Sequence, residues 1–300
     1  MRALLFPGQG SQSVGMGAAL ADASRAARDV FAEVDEALGQ NLFKLMREGP
    51  DEELRLTENA QPAIMGHALA VFQALTVEGR VELDKAAQFV AGHSLGEYSA
   101  LAAAGAFDLA TTARLLKLRG QAMQRAVPVG VGAMAALLGA DVELAQRIAA
   151  TAAEGEVCEV ANDNDPSQVV LSGHAAAIDR AIALAKEMGA KRAVALPVSA
   201  PFHCSLMQPA ADEMAEALGR TPIAAPAVPL YANVTAAATT NPDSIRDQLV
   251  AQVTGRVRWR DSIANMTAEG VTEFVELGGK VLAPMVKRIA PDAKVTSVVT

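Results

Sequence analysis

The chain has 300 residues with a net charge of −8, and 51% of it is hydrophobic against 20% charged. A chain of this length buries roughly 75% of the surface its unfolded form exposes, so its core needs no metal or disulfide, and its composition excludes a mainly disordered, collagen-like or coiled-coil protein. The acidic balance argues against wholesale binding of nucleic acid or of an anionic membrane, and two cysteines, Cys158 and Cys204, fit a reducing cytoplasm rather than a disulfide scaffold or a four-cysteine zinc site.

The opening run Ala3-Leu4-Leu5-Phe6 stops at Pro7-Gly8, which predicts a buried strand and is too short for the apolar region of a signal peptide. A Gly-rich turn leads to a helix over Ala18 to Leu38, on which Leu20, Ala27, Val30, Phe31, Val34 and Leu38 recur at helical spacing. A second helix is predicted from Ala63 to Leu75, just after Pro62. Gln88 to Ala91 reads as a strand, ended by Gly92, and Leu95 to Ala104 as the next helix. Strand, tight turn and helix in this order predict an α/β layer on a mostly parallel sheet.

The middle of the chain follows another order. Ala133 to Leu138 reads as a strand, Asp141 to Ala153 as a helix, and Val157 to Ala161 and Gln168 to Leu171 as strands around an Asn-Asp-Asn-Asp-Pro turn. A helix from Ala175 to Met188 and a strand from Ala193 to Val198 complete βαββαβ, the ferredoxin-like pattern. The expected organisation is an α/β catalytic body over 1–126 and 199–300, with a ferredoxin-like subdomain inserted at 127–198. Beyond it the pattern predicts a helix over Ser205 to Leu218, a strand over Leu230 to Val234, and a helix over Ser244 to Val253. A helix after Trp259, a strand over Glu273 to Leu277 and a helix over Val281 to Ile289 follow. The longest uncharged stretch, Thr221 to Pro242, holds four prolines, so it cannot form a spanning helix.

Gly92-His93-Ser94-Leu95-Gly96 is a Gly-x-Ser-x-Gly pentapeptide between a strand and a helix, the context of a nucleophile elbow. There the serine occupies a sharp turn that only glycine neighbours allow, and the Leu95 N–H at the helix N-terminus can stabilise an oxyanion. The alternative is an ordinary strand-to-helix turn with a serine N-cap. A serine nucleophile needs a base, and the chain has four histidines. His93 adjoins Ser94 and is directed away from its hydroxyl, His67 reads as a packed helix residue, and His174 as a helix-start cap. His203, in the loop Ala200-Pro201-Phe202-His203-Cys204 after a strand, is the candidate base, since loops at strand ends carry the chemistry of α/β folds. Cys204 reads as a small buried residue. The loop Gly8-Gln9-Gly10 fails the dinucleotide fingerprint, because Ser13 stands where its third glycine belongs. It offers instead the Gln9 backbone N–H as a second oxyanion donor.

Gly8-Gln9-Gly10-Ser11-Gln12, Gly92-His93-Ser94-Leu95-Gly96-Glu97, Arg119-Gly120 and Pro201-Phe202-His203 occur in that order. Together they resemble the malonyl-CoA:acyl carrier protein transacylases, acyltransferases of bacterial fatty acid synthesis, from Phe6 to Leu282. The resemblance implies a hydrolase-like α/β body with a ferredoxin-like subdomain, Ser94 as nucleophile, His203 as general base, and the Gln9 and Leu95 backbone as oxyanion hole. It further implies Arg119 as the grip for the free malonyl carboxylate, although the residues alone would make Arg119 a solvated helix arginine. Gln252 resembles the residue whose main-chain carbonyl orients the histidine, in a segment where Arg256 replaces the proline of many relatives. Gln61, in Asn59-Ala60-Gln61-Pro62, resembles a pocket-lining residue, with a helix-start turn as its alternative, and Phe202 matches the malonyl-type version of its loop. The implied partners are malonyl-CoA and acyl carrier protein, with Lys191, Arg192, Arg114 and Lys117 as candidates for docking the carrier. No nucleic acid, membrane, metal or bound cofactor is expected, and the expected state is a cytoplasmic monomer. The competing expectations are a serine thioesterase using the same pair, an acyltransferase serving polyketide synthesis in trans, and a carrier-binding module with a dead site.

Overall fold

Short apolar runs bounded by Gly and Pro become the central strands of a computed structural model that describes residues 1–198 and 200–300. In chain order the strands are β1 Arg2–Phe6, β2 Phe89–Gly92, β3 Gly132–Leu138, β4 Cys158–Asp165, β5 Gln168–His174 and β6 Arg192–Ala195. They continue with β7 Leu230–Ala232, β8 Ala237–Thr239, β9 Glu273–Leu277 and β10 Lys294–Val298. Six of them form one sheet in the order β10-β9-β1-β2-β7-β8, parallel throughout except for β8, which runs antiparallel to β7. Residues alternate between its faces. Leu4, Phe6 and Val90 join the core under the helices Arg25–Leu38, Thr57–Gln73 and Leu109–Ala126. Ala3, Leu5, Phe89 and Ala91 pack with Trp259, Ile263 and Phe274 on the other face. A parallel sheet covered on both faces needs strands that are apolar throughout rather than alternating, which is why β1 and β2 read as unbroken hydrophobic runs.

The second sheet is antiparallel, in the order β4-β5-β3-β6. The helices Val142–Ala153 and Ala175–Ala185 bury Ala145, Ile148, Ile178 and Ala181 in a separate core with its strands. This is the ferredoxin-like order, carried between two parts of the hydrolase-like α/β body. The expected boundary at Ser199 lies outside the described residues.

Several elements depart from the sequence pattern. The helix expected over 18–38 is two helices, Ala18–Ala23 and Arg25–Leu38. Ser24 breaks it by taking an extended backbone and accepting the Ala27 N–H on its hydroxyl at 3.0 Å, a cap worth about 1 kcal/mol. The helix expected from Ala63 begins at Thr57 and carries Pro62 inside it. The proline forgoes one ladder bond, and burial of Asn59, Ala60, Gln61, Ala63 and Ile64 on both sides of it offsets the loss. Asn162 to Asp165, expected in a turn, are the buried end of β4, leaving Pro166-Ser167 as the turn. Each of the four finds a partner across the seam to the body, although Asp163 Oδ1 is left without one. Asp163 pairs with Arg260 at 3.0 Å, Asp165 with Arg288 at 2.7 Å, and Asn162 bridges Val257. The helix expected from Ser205 starts as a 3-10 turn, Ser205–Met207, and is α-helical from Gln208 to Arg220. β8, β10 and the helices Leu42–Glu48 and Asp51–Arg55 carry too short or too polar a pattern to announce themselves. Among the described residues no helix is long and apolar enough to cross a membrane.

Candidate active site

β1 and β2 end side by side, Phe6 opposite Gly92, and the chain turns sharply after each. Ser94 takes φ 53°, a left-handed conformation that costs a non-glycine residue about 1–3 kcal/mol and persists where surrounding structure enforces it. The enforcement is visible. The Ser94 N–H donates to Asn233 Oδ1 at 2.8 Å, and Asn233 Nδ2 donates back to the Gly92 carbonyl at 2.7 Å. A Cβ on Gly92 would lie inside the Gly96 backbone, and one on Gly96 would strike the Phe6 carbonyl, so the turn closes only between glycines. The helix Gly96–Ala103 starts at once. Its first N–H groups are taken by His93 and Ser94 carbonyls at 2.9 and 3.0 Å. The N–H groups of Leu95 and Gln9 have no protein acceptor among the described residues. Both residues line the cavity that opens above Ser94, because Gly8 packs against the His93 carbonyl, where a Cβ would come within 2.6 Å.

His203 reaches this turn from the other side, also in a left-handed conformation (φ 58°). Its Nε2 lies 2.7 Å from Ser94 Oγ and its Nδ1 2.8 Å from the Gln252 carbonyl. A carbonyl can only accept, so Nδ1 carries the proton and Nε2 of the neutral ring is the acceptor for the serine O–H. Burial, and then the nearby Arg119 cation, push the His203 pKa down to about 3, which keeps the ring neutral at physiological pH. The other histidines stand apart. His93 turns away and meets Asn164 Oδ1 at 2.8 Å, His67 meets the Val299 carbonyl at 3.1 Å, and His174 Nδ1 accepts the Val157 N–H at 2.9 Å. Cys204 is buried, its thiol donating to the Pro201 carbonyl at 3.2 Å and pushed up to about 11 by burial, an inert arrangement.

Arg119 is 1% exposed, against the solvated arginine that its helix pattern alone suggests. The helix Leu109–Ala126 carries it inward, and Gln61 on the facing helix Thr57–Gln73 accepts from its Nη1 at 2.8 Å. Its Nη2 donates to Gln252 Oε1 at 2.9 Å and to Ser94 Oγ at 3.1 Å. Gln252 Nε2 in turn donates to the Ser94 carbonyl at 3.0 Å and to Glu97 Oε2 at 2.9 Å. Burial raises the Glu97 carboxyl to about 7, opposed by the bonds from Asn233 and Gln252.

The cavity holds about 360 Å³. Gln9, Gln61, Ser94, Arg119, Phe202 and His203 line its floor and one wall. Met134 and Val170 enter from the small sheet, Leu196 from the chain just after β6, and Val281, Leu282 and Met285 from the chain after β9. The cleft thus lies between the two sheets, at the carboxyl ends of parallel strands. Of the basic residues considered for carrier docking, Lys117 is taken up by Gln40 and Asn59 at 2.9 Å each. Among the described residues no three metal-ligating side chains cluster. Glu97, Asn233 and Asn164 are the site residues that no side-chain chemistry in the sequence singles out. Glu97 had a positional signal, in the first turn of the elbow helix, whereas Asn233 stood inside the strand expected over Leu230 to Val234, which the structure ends at Ala232. Asn164 had none, because its segment reads as a turn.

Residues 3–287 match the family described as the acyl transferase domain. The chain is 47% identical to the malonyl CoA-acyl carrier protein transacylase of Escherichia coli strain K12, over 96% of this chain and 92% of that protein. It is 45% identical to the protein of the same name from Bacillus subtilis strain 168, over 96% and 90%. It superimposes on the crystal structure of an acyl-carrier-protein S-malonyltransferase from Bartonella henselae with a TM-score of 0.97 and 51% identity, covering 100% of this chain and 95% of that one.

Proposed function

The chain belongs to the acyl transferase domain family, and from that premise we propose that it moves the malonyl group of malonyl-CoA to the phosphopantetheine thiol of acyl carrier protein, supplying fatty acid synthesis. One observation carries the reading. The Ser94 hydroxyl stands in an unbroken chain to His203 and the Gln252 carbonyl, with a buried guanidinium 3.1 Å from the same oxygen. A serine–histidine pair alone fits any acyl hydrolase. The arginine adds a partner for the second carboxylate of a dicarboxylic acyl group.

Ser94 Oγ attacks the thioester carbonyl as His203 Nε2 takes its proton, and the Gln252 carbonyl holds the imidazolium that forms. The Gln9 and Leu95 N–H groups receive the developing oxyanion, a contribution of ~2.7–4 kcal/mol for each donor. Collapse of the tetrahedral intermediate breaks the C–S bond, and His203 returns the proton to the departing coenzyme A sulfur. The carrier's thiol then gives its proton to His203 and attacks the malonyl-serine ester, and Ser94 leaves protonated. Donor and product are both thioesters, linked through an oxygen ester, so transfer runs both ways. Every proton has a residue to hold it, and the sequence of steps calls for no bound cofactor or metal. Arg119, seated by Gln61 and Gln252, grips the malonyl carboxylate, and Phe202 crowds an α-methyl substituent by ~1–3 kcal/mol, a preference against methylmalonyl rather than an exclusion.

The proposed division has 1–126 and 199–300 as the catalytic body and 127–198 as the inserted subdomain that roofs the cleft. The protein would act in the cytoplasm as a monomer, on malonyl-CoA and acyl carrier protein and without nucleic acid or membrane. Intact-protein mass spectrometry after brief mixing with malonyl-CoA, then with holo acyl carrier protein, tests the reading. A single malonyl adduct on Ser94 that disappears as malonyl-carrier protein forms is the expected result. Loss of malonyl to water without a carrier product would make the protein a thioesterase, and no adduct at all would remove the nucleophile.

A further inference from the structure

Behind the nucleophile lies a buried carboxylate that none of the steps above uses. Glu97 stands in the first turn of the elbow helix with 0% exposure. Its Oε2 accepts from the Asn233 backbone N–H at 3.0 Å and from Gln252 Nε2 at 2.9 Å, while its Oε1 has no partner. A carboxylate held this deep is costly unless its bonds do something for the fold or the site.

The Gln252 side chain shows what they do. An amide has one accepting end and one donating end. Around Gln252 the acceptors, Glu97 Oε2 at 2.9 Å, the Ser94 carbonyl at 3.0 Å and, more distantly, Asn233 Oδ1 at 3.4 Å, face its Nε2, and the donor, Arg119 Nη2, faces its Oε1. Only one orientation satisfies them all. Without Glu97 the nearest of these acceptors is lost, and a flipped amide would turn its NH2 toward the guanidinium, donor against donor. We propose that Glu97 is a positioning residue for the substrate carboxylate: by holding Gln252 Nε2 it turns Gln252 Oε1 toward Arg119 and so fixes the guanidinium in the plane from which it grips a second carboxylate. The inference rests on the reading of Arg119 as that grip. Glu97 touches neither substrate nor reacting atom. It acts through two hydrogen bonds in series, and the same Glu97 oxygen that orients Gln252 also braces Asn233, whose side chain holds the Ser94 N–H.

A role confined to bracing the elbow would slow acylation by every donor alike, whereas a role through Arg119 changes which donor is preferred. The test is therefore single-turnover acylation of Ser94 by malonyl-CoA and by acetyl-CoA, quenched and read by intact mass, in the wild type, Arg119→Ala, Glu97→Ala, Glu97→Met and Glu97→Gln. Glu97→Met keeps the side-chain volume, so the measurement stands if the alanine variant does not fold. Glu97→Gln restores an accepting oxygen for Gln252. The malonyl-to-acetyl rate ratio should fall about tenfold in the alanine and methionine variants, equivalent to ~1.4 kcal/mol, and most of it should return in the glutamine variant. Equal losses with both donors, leaving the ratio unchanged, would overturn the proposal while the Arg119 reading stands. Failure of all three Glu97 variants to fold would overturn it as well, assigning Glu97 to the fold. A wild-type ratio near one, or a ratio that survives Arg119→Ala, would overturn the Arg119 reading and the proposal with it.

Discussion

Arg119 Nη2 donates to Ser94 Oγ at 3.1 Å while the same hydroxyl reaches His203 Nε2 at 2.7 Å. The serine hydroxyl thus rests between a fixed cation and a neutral imidazole. In the proposed mechanism the cation favours the alkoxide that develops during attack, and the same positive charge adds to burial in holding His203 neutral. One guanidinium serves Ser94, Gln61 and Gln252 with separate N–H groups. An ammonium has the charge but not the planar fork. Arg119→Lys should therefore slow Ser94 acylation by malonyl-CoA by about 10- to 100-fold, the range expected when a charge-assisted bond is lost and a buried acceptor is left unpaired. Acylation by acetyl-CoA should change far less. Quenched-flow mass spectrometry with both donors measures the two rates, and a lysine variant as fast as the wild type with malonyl-CoA would contradict the fork argument.

The depressed pKa of His203 makes a prediction about pH. An ordinary histidine loses its base function as pH falls through 6.5, but here the folded-state value is about 3. Glu97, raised to about 7, titrates near neutrality and would overlay its own effect, so the clean protein for the measurement is Glu97→Gln. In that variant the single-turnover acylation rate should stay flat from about pH 8 down to about pH 5, because the ring is already neutral. An inflection near 6.5 would mean that His203 is not held neutral. The same shift has a sign for stability. A group whose folded pKa is depressed contributes in full above its unfolded value, near 6.5, and the contribution is lost as pH falls toward about 3. His203→Gln should accordingly flatten the acid limb of a pH-dependent unfolding curve.

The elbow was legible in the sequence because its constraint is local. A strand, two glycines around a serine and a helix leave few other geometries, and a left-handed serine between β2 and the helix Gly96–Ala103 is one that such a pentapeptide can form. β1, β9 and the βαββαβ order were legible for a similar reason, since the periodicity that fixes each lies within a dozen residues. Arg119 and Gln252 were legible only by resemblance. Their burial is set by helices that meet far apart in sequence, and nothing within the run Leu118-Arg119-Gly120 reports that the facing helix will offer Gln61. The segment Asn162 to Asp165 misled for a physical reason. Four short polar residues before a proline have the composition of a turn, yet each meets a partner across the seam that only the folded chain brings near. Pro62 misled likewise, because packing on both sides of a helix can outweigh one missing ladder bond.

That seam predicts a stability effect away from the chemistry. Asp165 is 0% exposed and accepts three hydrogen bonds, from the Ser167 N–H and hydroxyl at 2.8 Å each and from Arg288 Nε at 2.8 Å, and it is ion-paired with Arg288 Nη2 at 2.7 Å. Arg288 itself is 46% exposed, so removing the aspartate leaves the cation able to turn into water, and the larger penalty of a stranded buried charge does not apply. What is lost is the tie between the last residue of β4 and the helix Ala283–Ile289, together with the turn at Pro166-Ser167. Asp165→Ala should therefore cost about 1–3 kcal/mol, read as a lower urea midpoint with an unchanged slope. Asp165→Asn, which keeps an acceptor for the turn but only a neutral partner for Arg288, should fall between the alanine variant and the wild type. A loss below about 0.5 kcal/mol in the alanine variant, the scatter of ordinary surface substitutions, would show that the seam is held by Asp163, Asn164 and the Val257 bridge without it.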